Sequence, residues 1–228
     1  MGIIVFQAAM PEELAPVRAQ LQDCADISLP GTRQAIRGIH RGQEFVAIES
    51  GIGLVHASHA TTIAATCLEE TPLAIFSIGT AGAIPPHAAI GEVVAAKTLT
   101  AGDVNLTPFG YERGQVPGCP AQYTSDAALL AIAESKVDRL GDFVCVDSFV
   151  GDAEAQRLQD LFPGVGIVDM ESTAAAQVAA MHEVPFISVR SITDLCSATQ
   201  HEEEVDRSAQ SSMEAALAIA VEFAAQLA

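Results

Sequence analysis

Residues 3–21 read IIVFQAAMPEELAPVRAQL. Residues 3–9 form a short apolar, β-branched run, the pattern of a buried strand. Pro11 then stands in a first helical turn with Glu12 and Glu13 beside it, which is a helix-start signature. Leu14, Val17, Arg18 and Leu21 follow at helical spacing. The chain therefore opens by passing directly from a strand into a helix.

The same alternation continues outward from this unit. Residues 35–39 and 45–49 predict a hairpin around Arg41-Gly42, and residues 56–68 a helix of small residues after the break at Gly51-Ile52-Gly53. Residues 73–78 read as a buried strand ending in Gly79-Thr80-Ala81-Gly82, and residues 92–99 as a strand bounded by Gly91. A long Gly- and Pro-containing loop over 107–120 precedes a helix at 127–136 and a strand at 142–147. Then come a helix at 153–161, a strand at 166–170, a helix at 172–182, a strand at 185–192 and an amphipathic helix at 211–228. Strands alternating with helices predict an α/β protein whose mixed or mostly parallel sheet is covered on both faces. Ligands in such sheets sit beyond the carboxyl ends of the strands. No linker or repeat divides residues 1–228, so one domain is expected.

Composition narrows the function. The 228 residues carry 11 Lys+Arg against 29 Asp+Glu, a net charge of −18, and half are hydrophobic. That apolar content builds a core. The acidity argues against a nucleic-acid partner, whose phosphates are neutralised by Lys and Arg, and against an anionic membrane surface. No apolar run approaches the ~18 residues of a membrane span. Met1 leads straight into GIIVFQAAM with no basic leader, so no targeting segment is expected. Five cysteines, an odd number without a CxxC pair, fit reduced thiols and a cytoplasmic location.

Three acids fall where predicted strands end. Glu13 lies in the first turn after the strand at 3–9, Glu171 just beyond the strand at 166–170, and Asp194 just after the strand at 185–192. If those strands are parallel, the three carboxylates meet at one rim, where converging acids acquire separated pKa values and divide acid and base roles. Singly, each has a structural reading: Glu13 as partner of a helix dipole, Asp194 as an N-cap. Glu171 and Asp169 flank an otherwise apolar strand, which such readings explain less well. Gly79-Thr80-Ala81-Gly82 and Ser50-Gly51-Ile52-Gly53 read either as tight turns or as close backbone approaches to a ligand. Elsewhere, His56 and His59 share a helix face but have no third ligand, so no metal is expected. His201-Glu202-Glu203-Glu204 reads as a solvated charge run, Cys145 as core, and no GxSxG elbow occurs.

Seven segments together carry a resemblance. They are Ala9-Met10-Pro11-Glu12-Glu13, Ser50-Gly51-Ile52-Gly53, Gly79-Thr80-Ala81-Gly82, Phe109-Gly110-Tyr111-Glu112, Gly114-Gln115-Val116-Pro117-Gly118, Val168-Asp169-Met170-Glu171 and Arg190-Ser191-Ile192-Thr193-Asp194. In this order, through essentially the whole chain, they resemble the purine nucleoside phosphorylase/uridine phosphorylase family. Within it they are most similar to the 5′-methylthioadenosine/S-adenosylhomocysteine nucleosidases.

The resemblance implies a single-domain three-layer α/β/α fold with a mixed central sheet, a homodimer, no cofactor, and hydrolysis of an adenine nucleoside to adenine and a 5-thio-substituted ribose. By position it makes Asp194 the acid that protonates purine N7 and Glu13 the group that activates water. Glu171 would bind the ribose hydroxyls with Met170 against the sugar, Phe149 would stack on adenine, and Val150 would hold its edge. Thr80 and Ala81 would line sugar and base, and Met10, Ile52, Gly82 and Thr193 complete the substrate-binding set. Leu106, Phe109 and Pro117 would cover the 5′ alkylthio group of the neighbouring subunit's pocket.

Some positions depart from the nucleosidase pattern. Pro11 stands where a third Glu is usual, Thr80 and Thr193 where Ser is more frequent, and Asp169 where Glu is more frequent. The related phosphorylases hold phosphate with an Arg whose place is taken here by Ser77, which favours water as nucleophile. A phosphate-dependent phosphorylase, an aminodeoxyfutalosine nucleosidase and a non-catalytic nucleoside-binding module are the competing readings.

Overall fold

A computed structural model describes residues 2–196 and 205–227. Along the chain run β1 (Ile4–Ala8), α1 (Pro11–Gln20), β2 (Gln22–Ile27), β3 (Gln34–His40), β4 (Gln43–Glu49), α2 (Leu54–Thr66), β5 (Ala74–Ala83) and β6 (Val93–Ala101). They continue with β7 (Tyr123–Thr124), α3 (Ala127–Ala133), β8 (Arg139–Cys145), α4 (Asp152–Leu161), β9 (Ile167–Asp169), α5 (Ser172–Met181), β10 (Phe186–Asp194) and α6 (Val205–Leu227). The charge run at 201–204 lies outside the described residues.

All ten strands among the described residues join one mixed sheet. β1 pairs in parallel with β4 and β5, and β5 in parallel with β10. These four strands therefore end at a common rim. β6, β8 and β9 run the opposite way: β6 is antiparallel to β10, β8 is parallel to β6 and β9, and β9 is antiparallel to the end of β5. The sheet thus closes on itself through β5, β10, β6, β8 and β9, leaving β1, β4, β3 and β2 as an open wing.

Strand alternation supplies the two covered faces. Ile4 and Phe6 point into a core shared with Leu14 and Val17 of α1, Leu129 of α3, and Met213, Leu217 and Phe223 of α6. Phe6 stacks on Phe45 at 5.2 Å and meets Phe76 edge-on at 5.4 Å, geometries that aromatic rings favour. Val5, Val46, Ile48 and Ile75 point the other way, onto Ala60 and Ala64 of α2 and Ala175, Ala176 and Ala179 of α5. A third cluster seats α4, through Leu158, against Val144 and Val168.

Four readings change. The strand expected to stop at Ile78 continues through Gly79-Thr80-Ala81-Gly82 to Ala83, because β10 pairs with it across Arg190↔Gly79 and Ser191↔Thr80. Asp194 ends β10 rather than following it. β9 is not parallel to β5; Val168 pairs antiparallel with Gly82. Finally, β2 and β7 were not foreseen: β2 is a largely exposed edge with polar residues, and β7 has two residues.

Candidate active site

Glu13 is the third residue of α1, and its side chain folds back over the helix start. Oε2 accepts from the backbone N–H of Ala9 at 2.9 Å and of Met10 at 3.1 Å, while Oε1 accepts from Thr80 N–H at 2.9 Å and Thr80 Oγ1 at 3.3 Å. The carboxylate is 3% exposed. Burial pushes its pKa up, against the pull of Arg190 and the N–H donors of Thr80, Met10 and Ala9. Gly79 makes this approach possible. Its φ is +146°, and a Cβ there would lie 2.3 Å from Glu13 Oε1 and 2.6 Å from Arg190 Nη1.

Glu171 enters from the other side. β9 runs back along the overshooting end of β5, Val168 against Gly82, and just beyond Asp169 the chain delivers Glu171 to Gly53 and Arg190 although the strand is antiparallel. Glu171 Oε1 accepts from Gly53 N–H, at the start of α2, at 3.0 Å, and Oε2 lies 3.6 Å from Arg190 Nη2. Gly53 has φ +100°, and a Cβ there would lie 2.7 Å from Asp147 Oδ1. Burial raises Glu171 to about 7, with Arg190 opposing and Asp169 adding to the rise.

Asp194 is half-buried and pairs with Gly82 across β10 and β5. Its Oδ1 accepts from Cys196 N–H at 2.8 Å, a local turn contact. Thr193 Oγ1 donates to Ala81 O at 3.4 Å. Glu13 on Thr80 and Asp194 beside Gly82 are thus held two residues apart on one strand, and Glu171 reaches the same group through Arg190.

The remaining expected residues fall around this centre. Met10 caps α1, the exposed Ile52 precedes Gly53, and Met170 links Asp169 to Glu171. Phe149 is exposed and Val150 buried, between β8 and α4. That segment is tied toward α2 where Asp147 Oδ1 accepts from Leu54 N–H at 3.0 Å. Leu106, Phe109 and Pro117 sit on the loop after β6; Leu106 is half-buried, while Phe109 is 77% exposed. Each of His56 and His59 has a ring nitrogen on a backbone carbonyl, of Ile52 and Pro30 respectively.

Two residues at the centre had no role in the sequence reading. Arg190 is 1% exposed and donates to Asp169, to Ile78 O at 2.8 Å and to Ser77 Oγ at 2.8 Å. Asp169 also takes the Cys145 thiol and the Ser172 hydroxyl. The available signal was an Arg in an otherwise apolar strand, since a buried guanidinium demands buried acids. Arg190 thus sets a fixed cation beside Ser77, with its donors committed to protein acceptors.

Chemically, the site offers two acids of raised pKa, a third acid beside Gly82 on the strand that carries Thr80, and one internally paired cation. This set suits proton transfer and stabilisation of a cationic sugar better than capture of a dianion.

Comparison with known proteins gives the family. A family model described as the phosphorylase superfamily matches residues 3–225. A 5′-methylthioadenosine/S-adenosylhomocysteine nucleosidase of Staphylococcus epidermidis is 34% identical over 225 residues, covering 94% of this chain and 96% of the relative. The structure of such a nucleosidase from S. pneumoniae with a transition-state inhibitor matches with TM-score 0.88 at 30% identity, covering 95% of this chain and 97% of the other. One from Colwellia psychrerythraea in complex with adenine matches with TM-score 0.92 at 26% identity, covering 97% and 96%. The chain belongs to the phosphorylase superfamily and, within it, to the family of 5′-methylthioadenosine/S-adenosylhomocysteine nucleosidases.

Proposed function

We propose that this chain hydrolyses the N-glycosidic bond of 5′-methylthioadenosine and S-adenosylhomocysteine, releasing adenine and the 5-thio-substituted ribose. The observation that carries the reading is the placement of Glu13 and Asp194 at Thr80 and Gly82 of one strand, with Glu171 joined to Glu13 through Arg190.

Asp194 donates its proton to purine N7 as the C1′–N9 bond breaks, so adenine leaves neutral. Positive charge develops on the sugar, where the Glu171 carboxylate on the ribose hydroxyls stabilises it. Water held by Glu13 adds its oxygen to C1′ and gives a proton to Glu13. Positioning that water removes an entropic barrier. Phe149 stacks on the base, Val150 holds its edge, and Met10, Ile52, Thr80, Ala81, Gly82, Met170 and Thr193 line the pocket.

The whole chain acts as one domain in a cytoplasmic homodimer. Leu106, Phe109 and Pro117 cover the partner's 5′ substituent, a use that accounts for an exposed Phe109. The phosphorylase reading is disfavoured because Ser77 takes a guanidinium hydrogen bond where phosphate needs a free cation. The deciding experiment is adenine release in phosphate-free buffer from methylthioadenosine, adenosylhomocysteine, 5′-deoxyadenosine and aminodeoxyfutalosine. Turnover of the two thioethers is expected without phosphate. Strict phosphate dependence means a phosphorylase, preference for aminodeoxyfutalosine moves the substrate assignment, and adenine binding without release means a binding module.

A further inference from the structure

One cation faces three carboxylates beneath the site. Arg190 lies between Asp169, Glu171 and Glu13, and they hold its charge against the burial that opposes it. The three acids differ in what they touch. Glu13 and Glu171 hydrogen-bond backbone N–H groups at the ends of strands and at the start of α2. The partners of Asp169 are interior side chains and a helix start: Arg190 Nε at 3.0 Å, the Ser172 hydroxyl, Ser172 N–H at 3.1 Å, and the Cys145 thiol. Burial and the neighbouring Asp169 keep that thiol protonated, so it serves as a donor.

Asp169 is itself fixed, by β9 pairing to β8 through Cys145↔Asp169 and by the first turn of α5. It is the anchor on which the guanidinium is oriented. With Nε on Asp169 and Nη1 on Ile78 O, the guanidinium plane is set; Nη2 then reaches Ser77 and Ser172 and comes to 3.6 Å from Glu171.

We propose that Asp169 is a positioning residue: it holds Arg190 where the guanidinium faces Glu13 and Glu171 together, and so sets how much negative charge the two carry. The assignment rests on the nucleosidase reading only for the use made of those glutamates. The groups facing the cluster are Glu13 from α1, Cys145 from β8, Asp169 and Glu171 from the end of β9, Arg190 from β10 and the Gly53 N–H at the start of α2. Asp169 raises Glu171 and Arg190 lowers it. Removing the Asp169 charge with Arg190 held in place would lower Glu171; releasing the guanidinium takes away the larger, opposite influence of Arg190 and raises Glu171.

The test is the pH profile of adenine release with kcat and KM separated. In Asp169→Asn, with the anchor of Arg190 lost, the acid limb of kcat/KM is expected to move up by about one pH unit with an order-of-magnitude fall in kcat. In Asp169→Asn/Arg190→Gln, a neutral pair that leaves no uncompensated buried cation, the limb moves up as well. Asp169→Glu restores the wild-type profile. In Asp169→Asn, a limb that stays in place while kcat falls makes Asp169 merely structural, and a limb that moves down makes its effect on Glu171 direct; either result overturns the proposal. A wild type that releases no adenine overturns the nucleosidase reading instead. In that event, the carboxyl infrared band of Glu171, assigned with Glu171→Gln and followed through pH in the same proteins, decides on Asp169 by the same signs.

Discussion

Gly79 carries a constraint that no other residue type meets. Its φ of +146° and the 2.3 Å separation from Glu13 Oε1 that a Cβ would impose require either the carboxylate or the strand to move. Gly79→Ala is expected to cost about 1–3 kcal/mol of stability and to disturb the Glu13–Thr80 contact, visible as a lower melting temperature together with a lower kcat. Asp194→Asn and Glu13→Gln are different in kind: both keep volume and remove one proton-transfer group. Each should lower kcat by roughly 10²–10⁴-fold, and a near-native kcat in either rejects its role. Asp194→Asn keeps the melting temperature near that of the wild type, whereas Glu13→Gln lowers it, because an oxygen that accepts buried backbone N–H groups becomes an amide donor. Glu171, raised to about 7 by burial, must be ionised to stabilise a cationic sugar. For the wild type, kcat/KM is therefore expected to fall as pH drops through about 7, read from initial rates between pH 5 and pH 9 on the order of a unit apart. The three acids were legible because each stands at a strand end in an otherwise apolar context. Arg190 and Asp169 were not assigned, because a buried ion pair is defined by strands distant in sequence.

At the scale of elements, the site depends on β5 being longer than its sequence reads. Gly79, Thr80 and Gly82 interrupt the apolar run, so local pattern ends the strand at Ile78, whereas pairing with β10 and β9 carries it to Ala83. The strand–helix alternation was readable because hydrophobic period is local; the direction of β9 was not, because a three-residue strand carries no information about its neighbour. β2 escaped for a related reason, since an exposed polar edge has little apolar pattern to show. The loop after β6 presents the reverse case, a motif legible in the sequence itself. Phe109→Ala is expected to raise KM for methylthioadenosine about tenfold, in the range of losing a buried aromatic contact, and to leave adenosine, which lacks the thioether, little changed. Equal effects on both substrates would mean that Phe109 does not cover the 5′ group.

At the scale of the molecule, charge and association pull in opposite directions. Each chain carries a net charge of −18, so bringing two together opposes like charges, while Ile52, Val55, Phe109 and Tyr111 offer exposed apolar surface that favours contact. Apolar attraction changes little with moderate salt, whereas the repulsion is screened: the Debye length falls from ~30 Å at 0.01 M to ~8 Å at 0.15 M ionic strength. Dimerisation should therefore tighten as sodium chloride is added, measured as sedimentation-velocity weight fractions at fixed protein concentration. If the loop at 106–117 completes the neighbouring pocket, specific activity at low enzyme concentration must rise over the same salt range, and the two curves must share a midpoint. Activity that is insensitive to dilution and salt in a chain sedimenting as a monomer would show that one subunit holds a complete site.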